Sequence, residues 1–166
     1  MAEQSSVCET LWLLDGIADF RAYSEQLVVH SRRSIAILTQ NLDALVYADS
    51  AFVQHISTFA RSNRNAQVQI LIKDTKPAIE TGHILVRLAQ RLSSKIIVRK
   101  TTIEPTNKTM AYMLGDTDKL LYKNDEEVYR GFFNSAAASE IKSLREEFNY
   151  LWQYGEAEPE FQLLHI

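Results

Sequence analysis

A chain of 166 residues can bury one sizeable core and is short for two independent domains. With 46% hydrophobic and 23% charged residues, 5 Gly, 3 Pro and a single cysteine, Cys8, the composition excludes collagen-like and disordered classes, an internal disulfide and a multi-cysteine metal site. The net charge of −3 is unevenly spread: residues 1–60 hold 3 basic and 7 acidic side chains, residues 61–115 hold 10 and 3, and residues 116–166 hold 5 and 11, so the middle third alone is basic.

Residues 1–14 form an N-terminal segment whose Thr10-Leu11-Trp12-Leu13-Leu14 is apolar enough for an edge strand or a partner contact. Asp15 is the expected cap of a first helix reaching about His30, with Ile17, Phe20, Ala22, Tyr23 and Leu27 as its apolar stripe. Ser34-Ile35-Ala36-Ile37-Leu38-Thr39 reads as a strand covered on both faces. A helix follows from Ser50 to Arg61, then a strand at Val68–Ile72, a polar corner at Lys73–Pro77, a helix marked by Ile84, Leu85, Leu88 and Leu92, and a strand at Lys95–Arg99. Crossovers longer than ~12 residues require these three strands to be parallel, with helices on the sheet's faces. Beyond Pro105 short polar turns separate residues 109–114, 119–122 and 128–133, as in strands added by hairpins. A last helix over Ala136–Tyr154 closes a domain spanning 15–154, and 155–166 reads as a poorly ordered acidic tail.

Several chemistries lack their residues. The five glycines form neither a P-loop nor a dinucleotide-binding turn, and no Gly-x-Ser-x-Gly elbow is present. The four histidines show no metal-ligand spacing, so neither a metal nor a cofactor is expected. Cys8, near a terminus, reads as structural or incidental. No apolar run reaches the ~18 residues of a spanning helix and the acidic start lacks a signal peptide's basic flank, which places the chain in the cytoplasm, away from membranes.

The order of elements over 15–154, with "RRSIAILTQ", "AQVQILIKD", "RLSSKIIVRK", "TMAYMLGD" and "FNYLW", resembles one half of a phospholipase D-like domain. More narrowly, "SIAILTQNLDALVY", "ILIKD" and "GHILVRLAQRLSSKIIVR" are similar to a group of uncharacterised bacterial proteins assigned to that superfamily. The resemblance implies an α/β fold with a mixed, largely parallel sheet flanked by helices. It also implies a His-x-Lys-x4-Asp motif in which histidine attacks phosphorus and lysine neutralises phosphate oxygens. If Asp116 is the motif's aspartate, Thr109 stands at the histidine position and Ala111 at the lysine position, and no histidine lies between His83 and His165. Active single-motif relatives pair, so the resemblance also implies a homodimer.

Ligands of parallel sheets gather at the carboxyl ends of the strands, which places Thr39, Gln40, Asn41, Lys73, Asp74, Arg99, Lys100 and Asp116 on one rim. Arg99 and Lys108 are candidates to grip a phosphate or carboxylate, with His83 beside them. The competing structural reading makes Asp74 a turn cap, His83 a surface or capping residue and Arg99 an ion-pair partner. Arg61, Arg64, Arg87, Arg91 and Lys95 extend the basic block as solvated helix positions, and Phe148, Tyr150 and Trp152 read as packing residues. The expected protein is a catalytically degenerate phospholipase D-like domain, without catalytic residues, that binds an anionic ligand at Gln40, Asn41, Lys73, Asp74, His83, Arg99, Lys108 and Asp116, or binds a protein partner. Two alternatives stay open: a weak nucleic-acid-binding module using the basic middle third, and a phosphodiesterase or other hydrolase with relocated residues such as His83, Asp74 and Asp116.

Overall fold

The computed structural model describes residues 10–105, 107–125 and 127–162, so Cys8 and His165 lie outside the described residues. The elements in chain order are β1 (Leu11–Asp15), α1 (Ile17–His30), β2 (Ser34–Thr39), α2 (Ala44–Tyr47), α3 (Ser50–Ser62), β3 (Gln67–Ile72) and α4 (Lys76–Thr81). They continue as α5 (Ile84–Arg91), β4 (Ile96–Lys100), β5 (Ala111–Gly115), β6 (Lys119–Asp125), β7 (Val128–Asn134), α6 (Ala138–Gln153) and α7 (Pro159–Gln162).

One open mixed sheet runs in the order β1-β7-β6-β5-β2-β3-β4. β2, β3 and β4 are parallel, in the register Ser34↔Gln67 and Val68↔Ile96, because each is reached through a helical crossover. β5 lies antiparallel to β2, and β5, β6 and β7 form a meander that β1 extends at its edge. Among the described residues, α1, α3 and α5 pack Phe20, Leu27, Phe52, Ile56 and Leu85 onto Ile35, Ile37, Val68 and Ile70, while α6 covers the other face with Ile141, Phe148 and Leu151 against Leu38, Leu71 and Tyr112. Strands buried on both sides explain the near-continuous apolar sequence of β2. No helix among the described residues is long and apolar enough to cross a membrane.

Four local expectations change. Asp15 ends β1 rather than capping α1; Gly16 takes that position with φ of 98°, a left-handed value that glycine tolerates. Ala22 is exposed, and Ser24 takes its place in the buried stripe by donating its hydroxyl to Phe20 O. Two short helices appear that the sequence reading did not include, α2 and α4, the latter starting inside the polar corner Lys73–Pro77; Asp43 starts α2 by accepting from Leu45 N at 3.0 Å. The acidic segment after Tyr154 is docked, not loose. Glu156 pairs with the backbone of Lys100, and the Glu158 carboxylate accepts the Thr75 hydroxyl at 2.7 Å.

Candidate functional site

The carboxyl ends of β2 and β3 and the residues preceding β5 meet around a depression of about 460 Å³ lined by Gln40, Asn41, Asp74, Thr109, Asp125 and Glu127. The turn leaving β2 is tightly specified. Leu42, buried, has φ of 57°, an unfavourable value for a γ-branched residue, and it is held by Leu42 N donating to Thr39 Oγ1 at 3.1 Å and by His83 bonded to Leu42 O at 3.0 Å. Lys73 Nζ and Gln40 Nε2 both donate to Lys108 O at 2.7 Å, which clamps the β4–β5 connection onto the rim. Asn41 Oδ1 is buried and finds no hydrogen-bond partner among the described residues. Thr109 Oγ1 lies 3.0 Å from Asn107 Oδ1, to which it donates.

Of the eight residues read as one site, the structure brings together Gln40, Asn41, Lys73, Asp74 and Lys108, the last through its carbonyl. The other three do not join them. His83 is 4% exposed and works as the N-cap of α5: Nδ1 accepts from Leu85 N at 3.2 Å, so Nε2 carries the proton donated to Leu42 O. Burial lowers its pKa from the ordinary histidine range, opposed in part by Leu42 O and Asp43. Arg99 lies on the α6 face, where Nη1 donates to Trp152 O at 2.9 Å and the guanidinium sits 4.4 Å from the centre of the Trp152 ring. That contact places a cation at the end of α6, where it satisfies a terminal carbonyl.

Asp116 is the largest correction. β5 runs antiparallel to β2, so its end meets the start of β2, with Gly115 opposite Ile35. The five residues of β5 span roughly 17 Å, which puts Asp116 at the far end of the sheet from the depression. There its carboxylate accepts from the backbone N–H groups of Arg32 at 3.0 Å, Arg33 at 2.7 Å and Ser34 at 3.2 Å, with Lys119 Nζ at 3.6 Å. Burial pushes the carboxyl upward, but the N–H groups of Arg33, Ser34 and Arg32 and the Lys119 ammonium together outweigh it and hold the pKa below the usual carboxylate value. Its φ of 52° is one that aspartate adopts more readily than most residues. Asp116 therefore latches the β5–β6 turn to the turn before β2. A relocated hydrolase built on His83, Asp74 and Asp116 loses its geometry, since the three groups do not converge.

A family model described as "Domain of unknown function (DUF7931)" matches residues 17–164. The chain belongs to the DUF7931 family. No curated protein matches it. Among solved structures, this DUF7931 chain is similar to Nuc from Salmonella typhimurium, a phospholipase D family member, with a TM-score of 0.66 at 12% identity over 88% of this chain and 95% of that one. NucT from Helicobacter pylori gives 0.61 at 10% identity over 89% and 97%. TrmBL2, an archaeal chromatin protein whose structure shows a mode of DNA binding, gives 0.62 at 13% identity; the match covers 93% of this chain and 56% of that one, so DUF7931 spans just over half of its length. Identities this low establish a shared phospholipase D-like fold and nothing finer.

Sequence reasoning missed a polar cluster beneath the rim of this DUF7931 chain. Lys123, 8% exposed, stands opposite Ala111 across the β5–β6 ladder, with Nζ 3.9 Å from Asp43 Oδ2 and 4.0 Å from the centre of the Tyr129 ring, while the Tyr129 hydroxyl donates to Asp43 Oδ2. The signal was present in the alternation of β6: Lys123 falls two residues after the buried Leu121 and shares its face. Chemically the rim offers three carboxylates, from Asp74, Asp125 and Glu127, around its depression, and Lys73 and Lys123 are both directed at protein acceptors. Among the described residues no group of three or more His, Cys, Asp or Glu side chains has the geometry to hold a metal ion.

Proposed function

We propose that this chain is a non-catalytic phospholipase D-like domain that acts by binding an anionic partner. The observation that carries the reading is the pair Thr109 and Ala111 at the positions that the resemblance gives to the nucleophilic histidine and the phosphate-neutralising lysine. A hydroxyl attacks phosphorus near neutral pH only with a base beside it. Here Thr109 Oγ1 faces an amide and a backbone carbonyl, and the buried His83 is committed to Leu42 and Leu85. Ala111 is itself buried and carries no charge to a phosphate.

The basic middle block supports an anion as the partner, and the DNA binding of the archaeal chromatin protein is in keeping with that class of ligand. The test is a sensitive phosphodiesterase assay of the folded protein with bis(4-nitrophenyl) phosphate and single-stranded DNA. No turnover above the protein-free rate is expected. Turnover that persists through purification and disappears in Thr109→Ala or Lys123→Met would overturn the reading.

A further inference from the structure

The parallel strands bring a second set of side chains together at their amino ends. Because β2, β3 and β4 lie side by side in parallel register, the residues entering each strand gather at one margin: Arg32 and Arg33 before β2, Arg64 and Asn65 before β3, Lys95 before β4. They line two adjoining concavities of about 790 and 470 Å³ that share Arg64, Asn65 and Gln67. This margin lies at the opposite end of β2 from the acidic rim.

Cations at such a margin have an ordinary structural use, because the carbonyl ends of α1, α3 and α5 point the same way and attract positive charge. Two of the cations serve it. Lys95 Nζ donates to Asn63 O at 3.0 Å and Arg64 O at 2.6 Å, and Arg61 Nε donates to Ser57 O at 3.3 Å. Arg32, Arg33 and Arg64 do not: their side chains are exposed, and among the described residues none of the three pairs with a carboxylate or a helix carbonyl.

Their backbones, by contrast, are fixed. The Asp116 carboxylate holds the N–H groups of Arg32 and Arg33, Asn63 Nδ2 donates to Arg32 O at 2.9 Å, and Gln67 N donates to Arg33 O at 3.1 Å. Asn63 Oδ1 also accepts from Asn65 N at 2.8 Å, which ties the turn carrying Arg64 to the turn carrying Arg32. Three guanidinium groups that meet no partner among the described residues are thus carried on a backbone that needs no further ordering when they meet a phosphate.

We infer that this margin binds the phosphate backbone of double-stranded nucleic acid without reading its sequence. The inference rests on the binding role proposed above and gives it a surface and a ligand class. The lining sets guanidinium groups beside the exposed amides of Asn65 and Gln67, the donor set that contacts phosphate and sugar oxygens. Among the described residues it contains no aromatic side chain, so it offers no platform on which the bases of a single strand would stack. Its one apolar member, Ala66, is fully buried, which leaves no anchor for a membrane and no hydrophobic centre for a protein interface.

The test is fluorescence anisotropy of the full chain with ~20-bp DNA and RNA duplexes of two unrelated sequences, with a single strand of equal length and with phosphatidylserine vesicles as further arms. Duplexes of either sequence are expected to bind alike. With three phosphates neutralised, affinity falls about 40-fold between ~50 and ~200 mM salt, from a slope of about 0.9 per phosphate. The triple variant Arg32→Gln/Arg33→Gln/Arg64→Gln is expected to lower that slope by about 3, and the corresponding triple Arg→Lys variant to restore it. Lys76→Gln/Arg130→Gln/Lys142→Gln removes equal charge elsewhere and leaves binding unchanged.

Circular dichroism of each variant confirms folding, so an absence of duplex binding by the folded wild type at low salt overturns the inference. An unchanged slope in the triple Gln variant overturns it as well, as does capture by vesicles or the single strand in preference to the duplex. The same samples run on a denaturing gel separate the two readings: cleaved duplex removes the non-catalytic role and leaves the binding surface standing.

Discussion

At the carboxyl end of the parallel strands Lys123 turns inward against Asp43 and Lys73 against backbone carbonyls, and carboxylates line the open depression. At the amino end the arrangement is reversed: the carboxylate of Asp116 turns inward onto backbone N–H groups, and arginines reach solvent. One sheet thus presents margins of opposite sign although the whole chain carries only −3. Net charge is a sum, and a ligand meets a surface. In this chain the exposed guanidinium groups of Arg32, Arg33 and Arg64 stand at the second margin.

The contrast breaks most sharply at Asp116. Asp116→Ala leaves backbone N–H groups without acceptors and puts alanine at a left-handed φ, so a loss of about 3 kcal/mol is expected. Thermal unfolding should register this as a fall of roughly 6–12 °C. Asp116→Asn, which keeps one acceptor and tolerates that φ, should cost about half as much. Because the folded carboxyl titrates below its unfolded value, its stabilisation is complete above the ordinary carboxylate range and is lost as pH falls through the folded pKa. The stability gap between wild type and Asp116→Asn should therefore narrow in acid, and a gap that stays constant in acid denaturant titrations would show that the charge is not what holds the latch.

At the other margin, Lys123→Met leaves the partly buried Asp43 beside Tyr129 without its cation, with an expected loss of about 2 kcal/mol in urea unfolding. His83 gives a smaller effect with a characteristic sign. Its folded pKa lies below its unfolded one, so the unfolded chain takes up protons first and the wild type loses stability as pH falls below about 6.5 toward the folded value. His83→Asn keeps an N-cap acceptor and should flatten that part of the profile. Smallest of all, Arg32→Gln, Arg33→Gln and Arg64→Gln should each change stability by less than about 0.5 kcal/mol, since the exposed side chains touch no partner among the described residues. A larger loss at any of them would mean that the residue supports the fold and is not reserved for a ligand.

The parallel half was legible because its evidence is local: β2 and β3 are short apolar runs bounded by polar breaks, and long crossovers admit one relative direction. The meander was legible as strands, but the direction of β5 against β2 is a pairing between distant residues, and no spacing within "TMAYMLGD" encodes it. Asp116 was therefore assigned to the wrong margin while its neighbours in the chain were placed correctly. Arg99 was misread for a related reason, since the face a strand residue occupies depends on which helix lies over it. Arg64 was read as a solvated helix position within the basic middle third and Arg32 and Arg33 were given no role, because Arg32 and Arg64 stand 32 positions apart and meet only through strand register. The docked segment beyond Tyr154 shows the same limit, since glutamates that look solvated from their composition become hydrogen-bond partners once Thr75 and Lys100 are beside them.

The two outer strands are finished differently. Glu156 exchanges backbone hydrogen bonds of 2.7 and 2.9 Å with Lys100 and so blunts the β4 side, while among the described residues β1 has no neighbour on its outer side and shows Leu13 at 83% exposure. Any lateral growth of the sheet is thereby steered to one side, and a chain truncated ahead of Glu156 would acquire a second sticky border and the capacity to stack end on end into ribbons.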